Sequence, residues 1–510
     1  MSIELTTRSI GTGEIFYDNF VEQGVDCDIT LPDYCPDIMR IIKCTLSAGI
    51  TNSKLIGDRA TADGNAKIRI IYSDDKNNIF CYDQDYPFSK YAELSTTYDD
   101  AFLCCSTKTD YVNCRAVSKR RVDVHGIVSL RFSVIGNKNM TLISDANGDG
   151  IQLRKKGLDI DDVSAVAVKS FEISQVENVG DSNGGIGKIV DAFASPVLNE
   201  CKLIKGKILI KGELLVRVVY CSDSGNNEAY TLDCLIPFNE IAEAASVTDG
   251  CKVDVKMHVT RLTAEPKTDN DGEYRYMNIN AEVLSELTVY EKKSVKVVTD
   301  AYSTDVEMNS EYSTMEFMQL NCEVRENVLC KQSLDVSSMK PQKLYAFTVM
   351  PPEAKCRFDA DKVTVKGRVP VNLIVIDSEG TPVLCEREAE FEYSKVTDST
   401  ENLSFNPYVS LGGCSANLTS DGKVDFKAEV LINGRMMKGC KEKVLTSLAA
   451  QEGTDKKEKK PAVVIYFCSD GESVWDIARK YNTTVEDVMQ ENDLTTDFIE
   501  NKRMLLIPVK

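Results

Sequence analysis

The sequence predicts a mainly β protein: tandem β-sandwich-like repeats followed by a small α+β module of strand–helix–helix–strand (βααβ) order. Three observations carry this expectation. A ladder of glycine, apolar and aromatic positions recurs three times at nearly constant intervals. Short β-branched runs alternate with turn-forming clusters through the first 450 residues. The last fifty residues then change character, with helical apolar spacing set between two strand-like runs.

In the first copy Gly64 leads to Ile68-Arg69-Ile70-Ile71-Tyr72, then Pro87-Phe88, then Val122-Asp123-Val124. In the second, Gly212 leads to Val216-Arg217-Val218-Val219-Tyr220, Pro237-Phe238 and Met277-Asn278-Ile279. In the third, Gly367 leads to Val371-Asn372-Leu373-Ile374-Val375, Phe391 and Val424-Asp425-Phe426. The steps are 8, 16 and 34 residues, then 8, 18 and 39, then 8, 16 and 33. The excess in the second copy fits a hairpin insertion around residues 266–272. A recurring interval of this kind is a fold signature. It places the copies at residues 1–150, 151–300 and 301–450, a charged linker at 451–460 and the terminal module at 461–510.

Within each copy, runs such as Lys207-Ile208-Leu209-Ile210-Lys211 bury one face by alternation. Turn clusters punctuate them: Ser73-Asp74-Asp75, Asp223-Ser224-Gly225 and Asp377-Ser378-Glu379-Gly380. Short helices are expected near residues 36–43, 196–202 and 239–245. In the terminal module, Val463-Val464-Ile465-Tyr466-Phe467 reads as a strand. Val474, Ile477, Ala478 and Tyr481 then fall on one helical face. Ser473 with Asp476, and Thr484 with Asp487, have the spacing of N-terminal capping boxes. Met504-Leu505-Leu506-Ile507 closes as a strand, stopped by Pro508.

Composition narrows the function. At 510 residues the chain holds about three or four domains by the usual size of about 100–200 residues each. A net charge of −19 argues against nucleic acid as a partner, because phosphate binding needs clustered cations. The basic run from Lys456 to Lys460 is broken by Glu458 and reads as solvated linker. No apolar run reaches the roughly 18 residues of a membrane span. The N-terminus shows no signal-peptide pattern, so a cytosolic chain is expected. The eighteen cysteines are then expected to be reduced, acting as small buried hydrophobes within strands.

Catalytic constellations are missing. Asp145, Asn147, Asp149 and Gly150 open like a calcium loop, but its twelfth position is Lys156, which repels a cation, so a polar hairpin turn is expected. Gly184-Gly185-Ile186-Gly187 lacks the strand and helix that a nucleotide site requires. His125 and His258 are the only histidines and read as plain strand residues. We expect no enzyme, no metal and no cofactor.

Gly471-Glu472-Ser473-Val474-Trp475, Ile477-Ala478, Tyr481-Asn482, Asn492 and Ile507-Pro508 resemble the LysM module, usually a binder of N-acetylglucosamine-containing glycans. Glu472 stands where that family usually has Asp, and Lys502 where it usually has Gly. The first copy's Leu31-Pro32-Asp33-Tyr34-Cys35-Pro36-Asp37-Ile38, together with the glycine-to-tyrosine strand and the Pro-Phe step, resembles the SPOCS domain of bacterial sporulation proteins. SPOCS copies ending in LysM resemble the clostridial spore-coat morphogenetic proteins. That resemblance implies a non-enzymatic scaffold for spore coat assembly in the mother-cell cytoplasm, at the outer forespore membrane. Its LysM module would bind the coat-basement morphogenetic ATPase, and other coat proteins could join the assembly. Trp475, the sole tryptophan, is then the candidate interface anchor or a packing residue, with Val463 and Ile465 extending its surface. The alternative is a peptidoglycan-binding wall or cortex protein, with a groove lined by Gly471, Glu472, Ser473, Leu494, Thr495, Thr496 and Asp497.

Overall fold

A computed structural model describes residues 3–98, 101–179, 185–222, 228–244, 250–451, 462–499 and 501–509. The charged linker beyond Gln451 and the turn at 223–225 lie outside the described residues, as does Gly184 of the glycine run.

The first copy comprises β1 (Glu4–Thr30), β2 (Arg40–Ile56), β3 (Arg59–Ser73), β4 (Ile79–Glu93), β5 (Phe102–Ala116) and β6 (Arg121–Asn147). The second comprises β7 (Ile151–Asn178), β8 (Ile186–Ile204), β9 (Lys207–Ser222), β10 (Ala229–Glu243), β11 (Lys252–Lys267) and β12 (Tyr276–Ser303). The third comprises β13 (Met308–Asp335), β14 (Lys343–Val349), β15 (Glu353–Asp359), β16 (Lys362–Ile376), β17 (Pro382–Val396), β18 (Leu403–Phe405), β19 (Tyr408–Leu418) and β20 (Lys423–Ala450). The terminal module is β21 (Ala462–Cys468), α1 (Val474–Lys480), α2 (Val485–Glu491) and β22 (Arg503–Val509), the expected order. No helix among the described residues is long and apolar enough to cross a membrane.

Each copy packs two antiparallel sheets over one core. In the first the sheets are β1-β6-β5 and β2-β3-β4, in the second β7-β12-β11 and β8-β9-β10. The third repeats the plan, with β14 and β15 sharing the place of β2 and β8, and β18 and β19 sharing that of β5 and β11. The core of the first copy includes Ile68, Ile70, Val122 and Val124; that of the second Val216, Val218, Met277 and Ile279; that of the third Val371, Leu373, Val424 and Phe426. These are the ladder positions of the sequence.

The ladder's glycines and phenylalanines face each other across strands: Gly64 opposite Phe88, Gly212 opposite Phe238, Gly367 opposite Phe391. Each ring lies over its glycine, where a Cβ would come within 2.3, 2.5 and 2.3 Å of the ring. Only a residue without a side chain lets the aromatic cap the strand this closely.

The three expected short helices are strands or loop instead. Residues 196–202 run within β8, where Pro196 is tolerated because β8 is an edge strand. Asn239 to Glu243 pair with Lys211 to Lys207 in β10. Before β2 the chain is loop, held by the Arg120 guanidinium, which donates to the carbonyls of Cys35 at 3.1 Å and Leu31 at 3.3 Å. Cross-strand pairing outweighs a local helical preference at 196–202 and 239–243.

The copies are not separate beads. The paired strands β1/β6, β7/β12 and β13/β20 run 27 or 28 residues each. Their far halves gather into a common stem. Leu142, Val297 and Val444 meet in one stem cluster; Ile143, Val298 and Leu445, with Ala146, Ala301 and Leu448, meet in the next. These sets occupy equivalent places, so the chain has pseudo-threefold symmetry. β12 passes residue 300 and turns only after Ser303.

Candidate docking site on the terminal module

The module's core is built from both layers. Cys468 of β21, Val474, Ile477 and Ala478 of α1, Val488 of α2, and Leu505 and Ile507 of β22 are buried together. Helices of seven residues do not stand alone in water, so this packing sustains them. Thr484 caps α2, its side chain accepting from Asp487 N at 3.0 Å. The matching box at α1 does not form: Ser473 Oγ is buried and has no hydrogen-bond partner. β22 continues through Pro508, which pairs with Val463, rather than stopping before it.

Strand alternation divides the sheet into two faces. Val464, Tyr466 and Cys468 turn inward toward the helices. Val463, Ile465 and Phe467 turn outward and are 57%, 57% and 77% exposed. Across from them on β22 stand Pro508, Leu506 and Met504. Six apolar side chains thus form one uncovered sheet face, of which the sequence reading named only Val463 and Ile465. Phe467 and Met504 were legible from the same alternation.

Trp475 lies elsewhere. It is 5% exposed and packs toward the stem. Its indole N–H donates to Asp300 Oδ2 at 2.8 Å, and its ring meets Tyr302 edge to face at 4.9 Å. Arg479 of the same helix reaches Asp300 Oδ2 at 2.8 Å, and Tyr302 donates its hydroxyl to Thr483 O at 2.7 Å. The structure therefore does not bring Trp475 together with Val463 and Ile465. The helix side of the module rests on β12, and the sheet side is free among the described residues.

Burial opposes ionisation of Asp300, but hydrogen bonds from Tyr312 and Trp475 and the charge of Arg479 outweigh it. The carboxyl is held below the usual aspartate range. Asp300 was missed in the sequence. A signal existed: Leu142-Ile143-Ser144-Asp145-Ala146, Val297-Val298-Thr299-Asp300-Ala301 and Val444-Leu445-Thr446-Ser447-Leu448 recur once per copy.

The residues of the alternative glycan groove are brought side by side. Gly471 N donates to Ile499 O at 2.7 Å, Ile499 N to Glu472 O at 3.0 Å, and Val474 N to Asp497 O at 2.9 Å. The Glu472 carboxylate accepts from Ser469 N at 3.0 Å and from the Tyr466 hydroxyl. Leu494 is half-buried against the core, whereas Thr495 and Thr496 are exposed. Arg154 of β7 stands 3.7 Å from Asp497.

The remaining candidates have ordinary surroundings. Asp145, near the end of β6, is paired with Lys155 of β7 at 2.8 Å. His125 is exposed, 2.8 Å from the Asp26 carboxylate. Burial holds the His258 imidazole down to about 4, edge-on to Tyr408. Burial pushes Cys104 and Cys105 up to about 12 and Cys201, Cys234 and Cys356 to about 11, which makes these thiols poor nucleophiles.

Comparison with known families agrees with the architecture. Residues 37–117 and 185–267 match the family model described as SipL, SPOCS domain, and residues 470–508 match the LysM domain. No curated protein and no solved structure matches the chain. The chain thus carries two segments similar to the SipL SPOCS domain, followed by one similar to the LysM domain. In these segments the chain is similar to SipL, and its third copy has the same topology outside the matched residues.

Proposed function

We propose that the protein is a non-enzymatic scaffold for spore coat assembly. In this reading it works in the mother-cell cytoplasm, at the outer forespore membrane, and its LysM domain binds the coat-basement morphogenetic ATPase. The observation that carries the reading is the uncovered apolar sheet face of Val463, Ile465, Phe467 and Met504. Monomeric proteins rarely leave a contiguous apolar face open unless something covers it.

The test uses the full chain. Ile465→Arg is expected to weaken capture of the ATPase at least about tenfold, as removal of an interface anchor does. The circular dichroism spectrum should stay unchanged, because Ile465 is outside the core. Val463→Arg should behave alike. Saturable binding to purified peptidoglycan, insensitive to Ile465→Arg and without ATPase capture, would instead establish the glycan-binding reading.

A further inference from the structure

The apolar pentapeptide that recurs in each copy is a β-bulge device. The register slips beside Ser144, Thr299 and Thr446, and each hydroxyl donates to the carbonyl opposite, on Thr6, Arg154 and Glu311, at 3.1 Å in every case. A bulge re-aims the residue that follows it. The three following residues are Asp145, Asp300 and Ser447.

They are not interchangeable. Asp145 is neutralised by Lys155, and Ser447 carries no charge. Asp300 alone of the three is aimed at the LysM domain. Its Oδ1 accepts from Ala301 N at 2.9 Å and Tyr312 Oη at 2.6 Å, and its Oδ2 from Trp475 and Arg479, both at 2.8 Å. Four donors converge on one half-buried carboxylate, two from the stem and two from α1.

We infer that Asp300 is a positioning residue that clamps the LysM domain to the β7/β12 hairpin with its apolar sheet face outward. Trp475 then contributes to partner capture through this clamp and not by touching the partner. The inference rests on the protein-docking reading of the preceding subsection. It explains why the sole tryptophan is buried within the chain while the exposed face lies on the other side of the module.

The experiment again uses the full chain, in which Trp475 is the sole tryptophan and its emission reports the clamp. Asp300→Ala should shift that emission to the red and weaken ATPase capture about tenfold. Asp145→Ala, at the equivalent place in the first copy, should do neither. Ile465→Arg should weaken capture without moving the emission. The decisive comparison is a cycle with Trp475→Phe, which keeps a ring but removes the N–H. The double variant Asp300→Ala/Trp475→Phe should capture no worse than the weaker single. Multiplying losses would mean that Trp475 touches the partner, which overturns the proposal. Unchanged or stronger capture by Asp300→Ala also overturns it while leaving the docking reading intact. A wild-type chain that captures nothing removes the docking reading, and this role with it.

Discussion

At the residue scale, the glycine–phenylalanine pair shows how one small position governs a sheet. Gly212 allows Phe238 to lie flat over the strand, and a methyl there would come 2.2 Å from the Val197 carbonyl and 2.5 Å from the ring. Neither the main chain nor a packed ring yields cheaply. Gly212→Ala should therefore cost about 1–3 kcal/mol, the usual range for forced overpacking. Gly250→Ala, with nothing within 4 Å of its Cβ, should stay within about 0.5 kcal/mol. Urea melts of the two variants make the comparison, and equal costs would refute the role given to the ring. This pair was legible in the sequence because glycine and phenylalanine are conspicuous at fixed spacing. The bulge residues Ser144, Thr299 and Thr446 were not. A hydroxyl residue inside a β-branched run looks like any strand residue, and its bond to the opposite strand appears only once the register is known. For the same reason Asp300 escaped notice while Val463 and Ile465 did not: alternation reveals an exposed face, whereas a contact between residues 300 and 475 depends on tertiary approach.

At the scale of elements, the LysM helix α1 and the end of β12 form one joint, and its pH dependence follows from Asp300. The carboxyl is depressed in the docked state, so ionisation stabilises docking at every pH above the ordinary aspartate value of about 3.9. That contribution is lost only as pH falls through the depressed value. Trp475 emission should accordingly stay constant from pH 8 to pH 5 and move to the red below about pH 4. A red shift centred between pH 6 and pH 7 would assign the joint to some other group. Elements also explain why the expected helices failed. The segments at 196–202 and 239–243 read as ambiguous in isolation, yet each lies opposite a strand already committed to the core. A strand that completes a buried sheet gains cross-strand contacts that a short exposed helix lacks.

At the scale of the molecule, three copies are welded at a hub that uses the same device a second time. Bulges place Ile42, Val190 and Tyr345 into one cluster with Ile71, Val219 and Ile374. The symmetry of shape is kept while the charges differ. The residues after the bulges are Lys43, Asp191 and Ala346. Lys43 Nζ lies 3.5 Å from Asp191 and donates to Thr348 Oγ1 at 3.1 Å, and Arg69 reaches Asp191 at 2.8 Å. Burial pushes the Asp191 carboxyl up, but Lys43 and Arg69 outweigh it and hold the group below its usual value. Divergence recurs around the cavity of about 460 Å³ between the copies, where Arg131, Glu286 and Asn433 share one strand position. Charges that differ at equivalent places allow only one copy to sit beside each neighbour, so we assign the Lys43–Asp191 pair to the order of assembly. Breaking such a pair from one side leaves a buried charge uncompensated, a loss of about 3–5 kcal/mol. Asp191→Leu, which orphans Lys43, should show that loss in urea unfolding, and Lys43→Met a smaller one, because Arg69 still faces Asp191. Joined in one chain, the two substitutions should cost clearly less than their sum, because the Lys43 charge that Asp191→Leu orphans is then gone. Additive losses would mean that the two side chains act independently, and the hub would then be held by its apolar cluster alone.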